Sequence, residues 1–368
     1  MSNCSKKRIL HMGISDSIGG IETYVLNLLT GINKEKFQLE FIVSTSTDIH
    51  LINTLKQNGG ILHYIVSRKE NYIEHKKQLK NILQSNKFNI IHYHIINLSY
   101  LLPFKYINNN CEVILHSHTS KLTSNKRILF FHYVFKAIYM RREIHLLACS
   151  EFAGKVMFGE KQFTVIPNAI EFEKYEFNLA KRNEIRELFS LNDQIVLGHI
   201  GRLEAEKNHQ YLIDLFEVLV KENQLPVHLI IIGEGSLKNH LISYVAEKKL
   251  DNKISFLGLR SDINELLNMI DIFLMPSKFE GLPFALIEAQ VNGLKCIVST
   301  GVSQESNING NVKYLSLQSD FANWKDTIYQ MSLNLDERNN DLKDSLYDIK
   351  KSSKIIEHIY EQLSTTIT

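Results

Sequence analysis

Strand-length apolar runs alternate with helical stretches along the chain, and they do so in two separate blocks. In the first block the strand-like runs fall at residues 9–13, 39–43, 61–66, 90–94, 112–116, 145–148 and 164–166. In the second they fall at residues 195–201, 227–233, 254–257, 270–275, 295–298 and 312–315. A strand followed by a helix and another strand returns to its sheet as a parallel neighbour, with the helix on one face. The pattern predicts two doubly wound α/β domains, and 368 residues suffice for both. The polar, charge-rich stretch 171–192 predicts a linker, which puts the domains at 1–170 and 193–338. Residues 339–368 carry Leu342, Leu346, Ile349, Ile356, Ile359 and Leu363 at near-helical spacing, which predicts a terminal helical segment.

The candidate chemistry gathers where strands end. The run 270–275 leads into Ser277-Lys278-Phe279-Glu280-Gly281-Leu282-Pro283, and a helix is expected from Phe284 until Gly293 stops it. Pro283 suits the first helical position, where its missing N–H costs nothing. Glu280 then lies on a strand-to-helix loop and Glu288 about one turn into the helix. Ligands of open α/β sheets bind at this carboxyl edge. Two carboxylates beside a helix N-terminus, with the amides of Gly281, Leu282 and Phe284, suit a polar, anionic ligand. Arg202 and Lys207 follow the run 195–201 and offer a forked guanidinium and a compact ammonium for phosphate oxygens. Gly19-Gly20 opens a helix after the first strand, where backbone N–H groups approach an anion closely. Gly233-Glu234-Gly235 ends another strand and lets the chain turn. Each feature has a bland counterpart: a solvated glutamate pair, a solvated Arg and Lys, a simple glycine turn. Neither a G-x-G-x-x-G fingerprint nor a Walker loop is present.

Taken in order, four of these stretches resemble the retaining, nucleotide-sugar-dependent glycosyltransferases of family four. Glu280 and Glu288 resemble the family's E-x7-E signature, and Gly19-Gly20-Ile21-Glu22-Thr23-Tyr24 its N-terminal glycine loop. His116-Ser117-His118-Thr119-Ser120 resembles its active-site histidine segment. Gly201-Arg202-Leu203-Glu204-Ala205-Glu206-Lys207-Asn208 resembles its phosphate-binding stretch. The likeness runs over about residues 7 to 330 and is nearest to the capsule and exopolysaccharide branch. It implies the GT-B fold, two Rossmann-like domains facing a cleft, with the last helix crossing back to the first. It implies Arg202 and Lys207 at the donor diphosphate, Glu280 and His118 at the donor sugar, and Glu288 at the ribose. It also implies transfer of a hexose or N-acetylhexosamine, with retention, from a uridine diphosphate sugar to a polyprenyl-diphosphate-linked saccharide. One departure is Gly293-Leu294-Lys295-Cys296, where many relatives have Gly-x-Pro. The rival readings are a nucleotide-sugar epimerase or hydrolase on the same fold, and a non-catalytic polysaccharide-assembly subunit.

Composition trims the remaining options. A net charge of +2 excludes a strongly basic nucleic-acid binder. Cys4, Cys111, Cys149 and Cys296 are scattered, as free thiols of a reducing compartment are. No segment reaches the ~20 apolar residues of a membrane span. The expectation is a cytoplasmic enzyme, at most attached to a membrane surface. His92, His94, His116 and His118 end neighbouring strands, but no carboxylate accompanies them at a ligand spacing, so neither a metal nor a cofactor is expected. The basic, aromatic segment Lys121–His145 has two readings. It either packs its aromatic face on the sheet or lies on an anionic bilayer through Lys121, Lys126, Arg127, Lys136, Arg141 and Arg142.

Overall fold

The computed structural model describes residues 6–100, 102–108, 110–119, 121–139, 144–318, 321–335, 338, 342 and 345–365. Among the described residues thirteen strands form: β1 Lys7–Met12, β2 Phe37–Ser44, β3 Ile61–Ile65, β4 Ile90–Ile95, β5 Glu112–Ser117, β6 His145–Ala148, β7 Thr164–Val165, β8 Ile195–Ile200, β9 Val227–Ile232, β10 Ile254–Gly258, β11 Ile272–Met275, β12 Lys295–Ser299 and β13 Val312–Leu315. Each falls on an expected apolar run. The helices are α1 Gly20–Gly31, α2 Ile49–Gln57, α3 Tyr72–Ser85, α4 Lys126–Tyr139, α5 Glu151–Phe158, α6 Phe172–Tyr175, α7 Leu179–Leu188, α8 His209–Glu222, α9 Lys238–Glu247, α10 Ile263–Leu266, α11 Phe284–Val291, α12 Ala322–Ser332 and α13 Ile349–Thr365.

The chain divides into two compact units, residues 1–169 with 345–368, and residues 170–344. Each holds one sheet, ordered β3-β2-β1-β4-β5-β6-β7 in unit 1 and β10-β9-β8-β11-β12-β13 in unit 2. The pairings are parallel throughout. Strand order reverses between β1 and β4 in unit 1 and between β8 and β11 in unit 2, and such switch points open a crevice at the carboxyl edge.

In unit 2 both faces of the sheet are apolar. Ile230, Phe273 and Val298 pack under Leu286 and Ala289 of α11, while Leu229, Leu274 and Ile297 pack under Phe216 of α8 and Trp324 of α12. Unit 1 differs. One face, with Leu10, Ile91, Tyr93 and Leu115, is an ordinary core. The opposite face carries buried His11, His92, His94 and His116, which alternate with that core by the period of two of a strand. Tyr24 of α1 and Tyr360 of α13 meet their rings.

Two boundaries differ from those expected. Residues 171–192 do not form a free linker. They fold into α6 and α7 within unit 2, where Arg186 reaches the buried carboxylate of Asp271 at 3.0 Å and Arg182 pairs with the same carboxylate. Charge that reads as solvated in sequence is spent internally here, on one buried acid and on the carbonyls of Asn268 and Met269. The terminal helix begins only at Ile349 and belongs to unit 1, where Ile356 and Tyr360 are fully buried and Lys36 pairs with Glu361 at 2.8 Å.

Candidate active site

The residues singled out from sequence divide into two sets, one per unit. In unit 2 they converge on the β8/β11 switch point. The loop after β8 carries Arg202 and Lys207, and the loop after β11 carries Glu280. The amide of Lys278 donates to the carbonyl of Glu206 at 2.7 Å, which ties the loops together. Across that tie Lys207 Nζ meets Glu280 Oε1 at 2.5 Å, with both side chains 16% exposed. Arg202, on the same loop as Lys207, is exposed. Glu280 is also fixed through its backbone, its amide donating to Gly301 and its carbonyl accepting from Ser303, both at 3.0 Å.

The glycines here answer to close backbone crossings. Gly233 has φ +144°, and a Cβ on it would stand 2.0 Å from the carbonyl oxygen of Gly201. The end of β9 therefore crosses directly over the start of the Arg202 loop, and only glycine permits that approach. Gly281, Leu282 and Phe284 surround the N-terminus of α11, whose N-cap residue Pro283 provides no side-chain cap. The positive end of the helix macrodipole lies there without a capping side chain from Pro283.

Glu288 lies in the second turn of α11, buried, and its Oε1 accepts from the hydroxyl of Tyr175 at 3.0 Å. Burial pushes its carboxyl up to about 7, against the opposing pull of the Tyr175 hydrogen bond and Lys174. Tyr175, on α6, stands 113 positions away in the chain, and no local pattern marks it.

In unit 1, Gly19 is the N-cap residue of α1 and has no side chain to cap it. A Cβ on Gly20 would meet nothing within 4 Å, so Gly20 answers to no packing demand. His118 follows β5, and its amide donates to Ile95 at 3.1 Å. Ser120 lies outside the described residues. The ring of Tyr24, one turn into α1, packs on His118 at a centroid distance of 5.0 Å, which links the glycine loop to the histidine segment.

His118 does not stand alone. His11 Nδ1 and His94 Nε2 lie 2.9 Å apart, as do His94 Nδ1 and His118 Nε2. A second row runs from the Tyr360 hydroxyl to His92 Nδ1 at 2.7 Å and from His92 Nε2 to His116 Nδ1 at 3.0 Å. Burial pushes His11 and His118 down to about 3, and His92, His94 and His116 well below the usual imidazole range. All five rings are therefore neutral, each with one N–H and one lone pair. Two consecutive contacts through His94 force His11, His94 and His118 to donate in a single direction, so the tautomer of His118 is tied to that of His11. Two triplets, His11/His92/His94 and His94/His116/His118, hold nitrogens within 4.8 Å of one another. Without an ion, both nitrogens of His92 and of His94 lie within hydrogen-bond distance of a partner. Sequence reading placed the four strand-end histidines but missed His11, which joins them from β1.

Two family models cover most of the chain. "Glycosyltransferase Family 4" matches residues 18–174, and "Glycosyl transferases group 1" matches residues 180–345. The chain belongs to the family-four glycosyltransferases, with the GT-B fold. Relatives lie in its capsule and exopolysaccharide branch. The glycosyltransferase is 29% identical to EpsF of Bacillus subtilis (strain 168), covering 89% of this chain and 88% of that one. It is 27% identical to the Escherichia coli UDP-Gal:alpha-D-GlcNAc-diphosphoundecaprenol alpha-1,3-galactosyltransferase, over 78% and 79% of the two chains. It is 24% identical to the capsular polysaccharide biosynthesis glycosyltransferase CapH of Staphylococcus aureus, over 96% and 98%. Among solved structures, Anabaena Alr3699/HepE in complex with UDP superposes with a TM-score of 0.77 over 97% of this glycosyltransferase and 100% of HepE, at 16% identity.

Proposed function

We propose that this glycosyltransferase moves a hexose or N-acetylhexosamine from a uridine diphosphate sugar to a polyprenyl-diphosphate-linked saccharide, with retention of anomeric configuration. The observation that carries the reading is the Lys207–Glu280 pair at the β8/β11 switch point, with Glu280 on the loop that leads into α11. Before the donor arrives, cation and carboxylate neutralise each other. A donor diphosphate competes for the ammonium, and the exchange frees Glu280 to meet the sugar. Arg202 adds a guanidinium fork to the same phosphates. The acceptor hydroxyl attacks the anomeric carbon from the face the diphosphate leaves. As the new C–O bond forms and the sugar–phosphate bond breaks, a phosphate oxygen takes the hydroxyl proton. Lys207 and Arg202 stabilise the charge that grows on the leaving group, which is the work a divalent cation does elsewhere. Glu288 accepts from the ribose hydroxyls, Gly19 and Gly20 offer backbone donors, and His118 contacts the donor sugar. UDP in the HepE complex, and the donor and acceptor in the name of the Escherichia coli relative, support this choice of substrates.

A screen of nucleotide sugars by thermal shift, followed by nucleotide release in chelator, tests the reading. A uridine diphosphate sugar is expected to raise the melting temperature by mass action and to turn over in EDTA. Activity that disappears in EDTA and returns with Mg²⁺ or Mn²⁺ contradicts it.

The acceptor side is read from α4. His132 is buried and takes a hydrogen bond from the amide of Leu98 at 3.1 Å, and Phe135 packs on the core. Phe130, Tyr133 and Ile138 are 63%, 56% and 52% exposed, next to exposed Lys126 and Arg127. The helix thus divides its aromatic residues between sheet and solvent. Arg141 and Arg142 lie outside the described residues. Among the described residues no helix is long and apolar enough to cross a membrane. A bare apolar face flanked by cations suits the cytoplasmic, anionic surface of a bilayer. Replacing Phe130, Tyr133, Lys126 and Arg127 with Ser is expected to weaken binding to anionic vesicles in sedimentation and to leave neutral vesicles indifferent. Unchanged sedimentation contradicts the membrane role.

A further inference from the structure

We infer that unit 1 carries a second anion site, a pocket for the diphosphate of the lipid-linked acceptor, continued along α4 by an aromatic track for the prenyl chain. This deepens the proposed transfer and rests on it for the identity of the acceptor, but its geometry stands apart from the donor residues of unit 2. A pocket of about 570 Å³ opens at the carboxyl edge of the unit 1 sheet. Arg68 and Lys69 reach it from the loop after β3, Tyr72 from the first turn of α3, Tyr100 and Lys105 from the segment after β4, and Phe135 from α4. Three cations line it, and no carboxylate stands among its described lining residues. Among the described residues none of these cations has an ion-pair partner. Lys207, by contrast, is paired.

The cations are held by a built frame. The carbonyl of Val66 accepts from His75 Nδ1 at 2.8 Å, so Nδ1 carries the proton. Burial keeps His75 neutral, and its Nε2 lone pair accepts the Tyr100 hydroxyl at 2.7 Å. That bond fixes the Tyr100 ring. The guanidinium of Arg68 lies 3.9 Å over the ring centroid. Stacking holds the guanidinium plane and leaves its N–H edge free for oxygen acceptors. The fourteen-residue helix α3 begins at the rim, capped by the Asn71 side chain and with Glu74 in its first turn. A diphosphate diester carries one negative charge on each phosphate, two in all, and the three cations more than offset them.

The apolar continuation starts inside the pocket. Phe135 stacks on Phe131 with centroids 5.7 Å apart, and Phe131 meets Phe130 edge-on at 5.6 Å. Exposure rises along the track, to 37% at Phe131 and 63% at Phe130. A ligand with a charged head and a hydrocarbon tail matches this order: head among the cations, tail out along the aromatic rings toward the bare face of α4. A sugar nucleotide has no such tail.

Titration calorimetry of the full chain tests the site with four probes: N-acetylglucosaminyl diphosphate farnesol, inorganic pyrophosphate, phosphatidylglycerol vesicles and UDP. The triple change Arg68→Ala, Lys69→Ala, Lys105→Ala is expected to weaken the farnesyl compound by at least about thirtyfold, since charge-assisted contacts are lost. Pyrophosphate binding should fall as well, and UDP affinity should hold within about twofold. Phe131→Ser should weaken the farnesyl compound and spare pyrophosphate. Lys105→Glu, a single change at an exposed position, repeats the test should the triple variant fold poorly. Undiminished binding of the farnesyl compound to Lys105→Glu and to the folded triple variant overturns the proposal. Loss of vesicle binding alone also overturns it, because the pocket then reads bilayer headgroups. If the wild type binds the farnesyl compound but no uridine nucleotide, the donor reading fails and the pocket stands.

Discussion

Lys207→Ala is expected to lower donor turnover by about two orders of magnitude, the upper range for a charge-assisted contact of about 1.5–3 kcal/mol. The change acts on both members of one pair. It removes the ammonium proposed to face the departing diphosphate, and it leaves Glu280 without the partner now 2.5 Å away. Charge on the leaving group is greatest in the transition state, so kcat falls along with nucleotide affinity. Lys207→Arg keeps the charge but replaces a point contact with a fork, and partial activity is expected. Glu280→Ala should lower kcat more than it raises KM, whereas Glu288→Ala, at the proposed ribose contact, held equally before and during reaction, should raise KM most. Steady-state nucleotide release from the four variants checks this order. Near-native kinetics in Lys207→Ala would place the diphosphate elsewhere.

Acid should destabilise unit 1 far above the carboxylate range. His11, His92, His94, His116 and His118 are neutral in the fold, with His11 and His118 pushed down to about 3 by burial. Once unfolded they titrate near the ordinary value of about 6.5. Below that value the unfolded chain binds more protons than the fold, so the stability they contribute is fully present above pH ~6.5 and is lost as the pH falls toward 3. Each costs about 1 kcal/mol between pH 6.5 and 5.5, and five together about 5 kcal/mol, comparable with the whole stability of an ordinary domain. Unit 2 buries fewer such groups: His199, His209 and His228 are lowered in the same way, while Glu288 is raised and acts with opposite sign. Trp324, the one tryptophan of the chain, lies in unit 2 and reports on that unit. Hydrogen exchange should therefore show β1, β4 and β5 losing protection by pH 5.5 before Trp324 fluorescence changes. Equal protection of these strands at pH 7.5 and 5.5 contradicts the neutral array.

The strands were legible because each is a short apolar run between helical stretches, a signal local to a few residues. β11 begins two residues inside its run, at Ile272, and the carboxylate of Asp271 just before it is held by Arg182 and Arg186. Those arginines stand 89 and 85 positions from it, which is why 171–192 reads as linker in sequence and folds as part of unit 2. The candidate site shows the same divide. Glu280, Glu288, Arg202 and Lys207 are visible from strand ends and family resemblance. That Lys207 pairs with Glu280, or Glu288 with Tyr175, depends on how distant loops meet at a switch point. Alternation along β4 and β5 puts their histidines on one face, but says nothing of His11 or Tyr360, which close the array from β1 and α13. Arg68, Lys69 and Lys105 carry no motif, and only the fold gathers them with Tyr100 and Phe135.

Retention of configuration with Lys207 and Arg202 in place of a metal is the central claim, and the anomeric signal of the first-formed product tests it most directly. The measurement is proton NMR of the transfer from an α-linked uridine diphosphate sugar to N-acetylglucosaminyl diphosphate farnesol, run in EDTA. The account predicts that the new glycosidic proton carries the small coupling of an α linkage from the earliest time points. A β-linked first product, or no product until Mg²⁺ or Mn²⁺ is added, contradicts it.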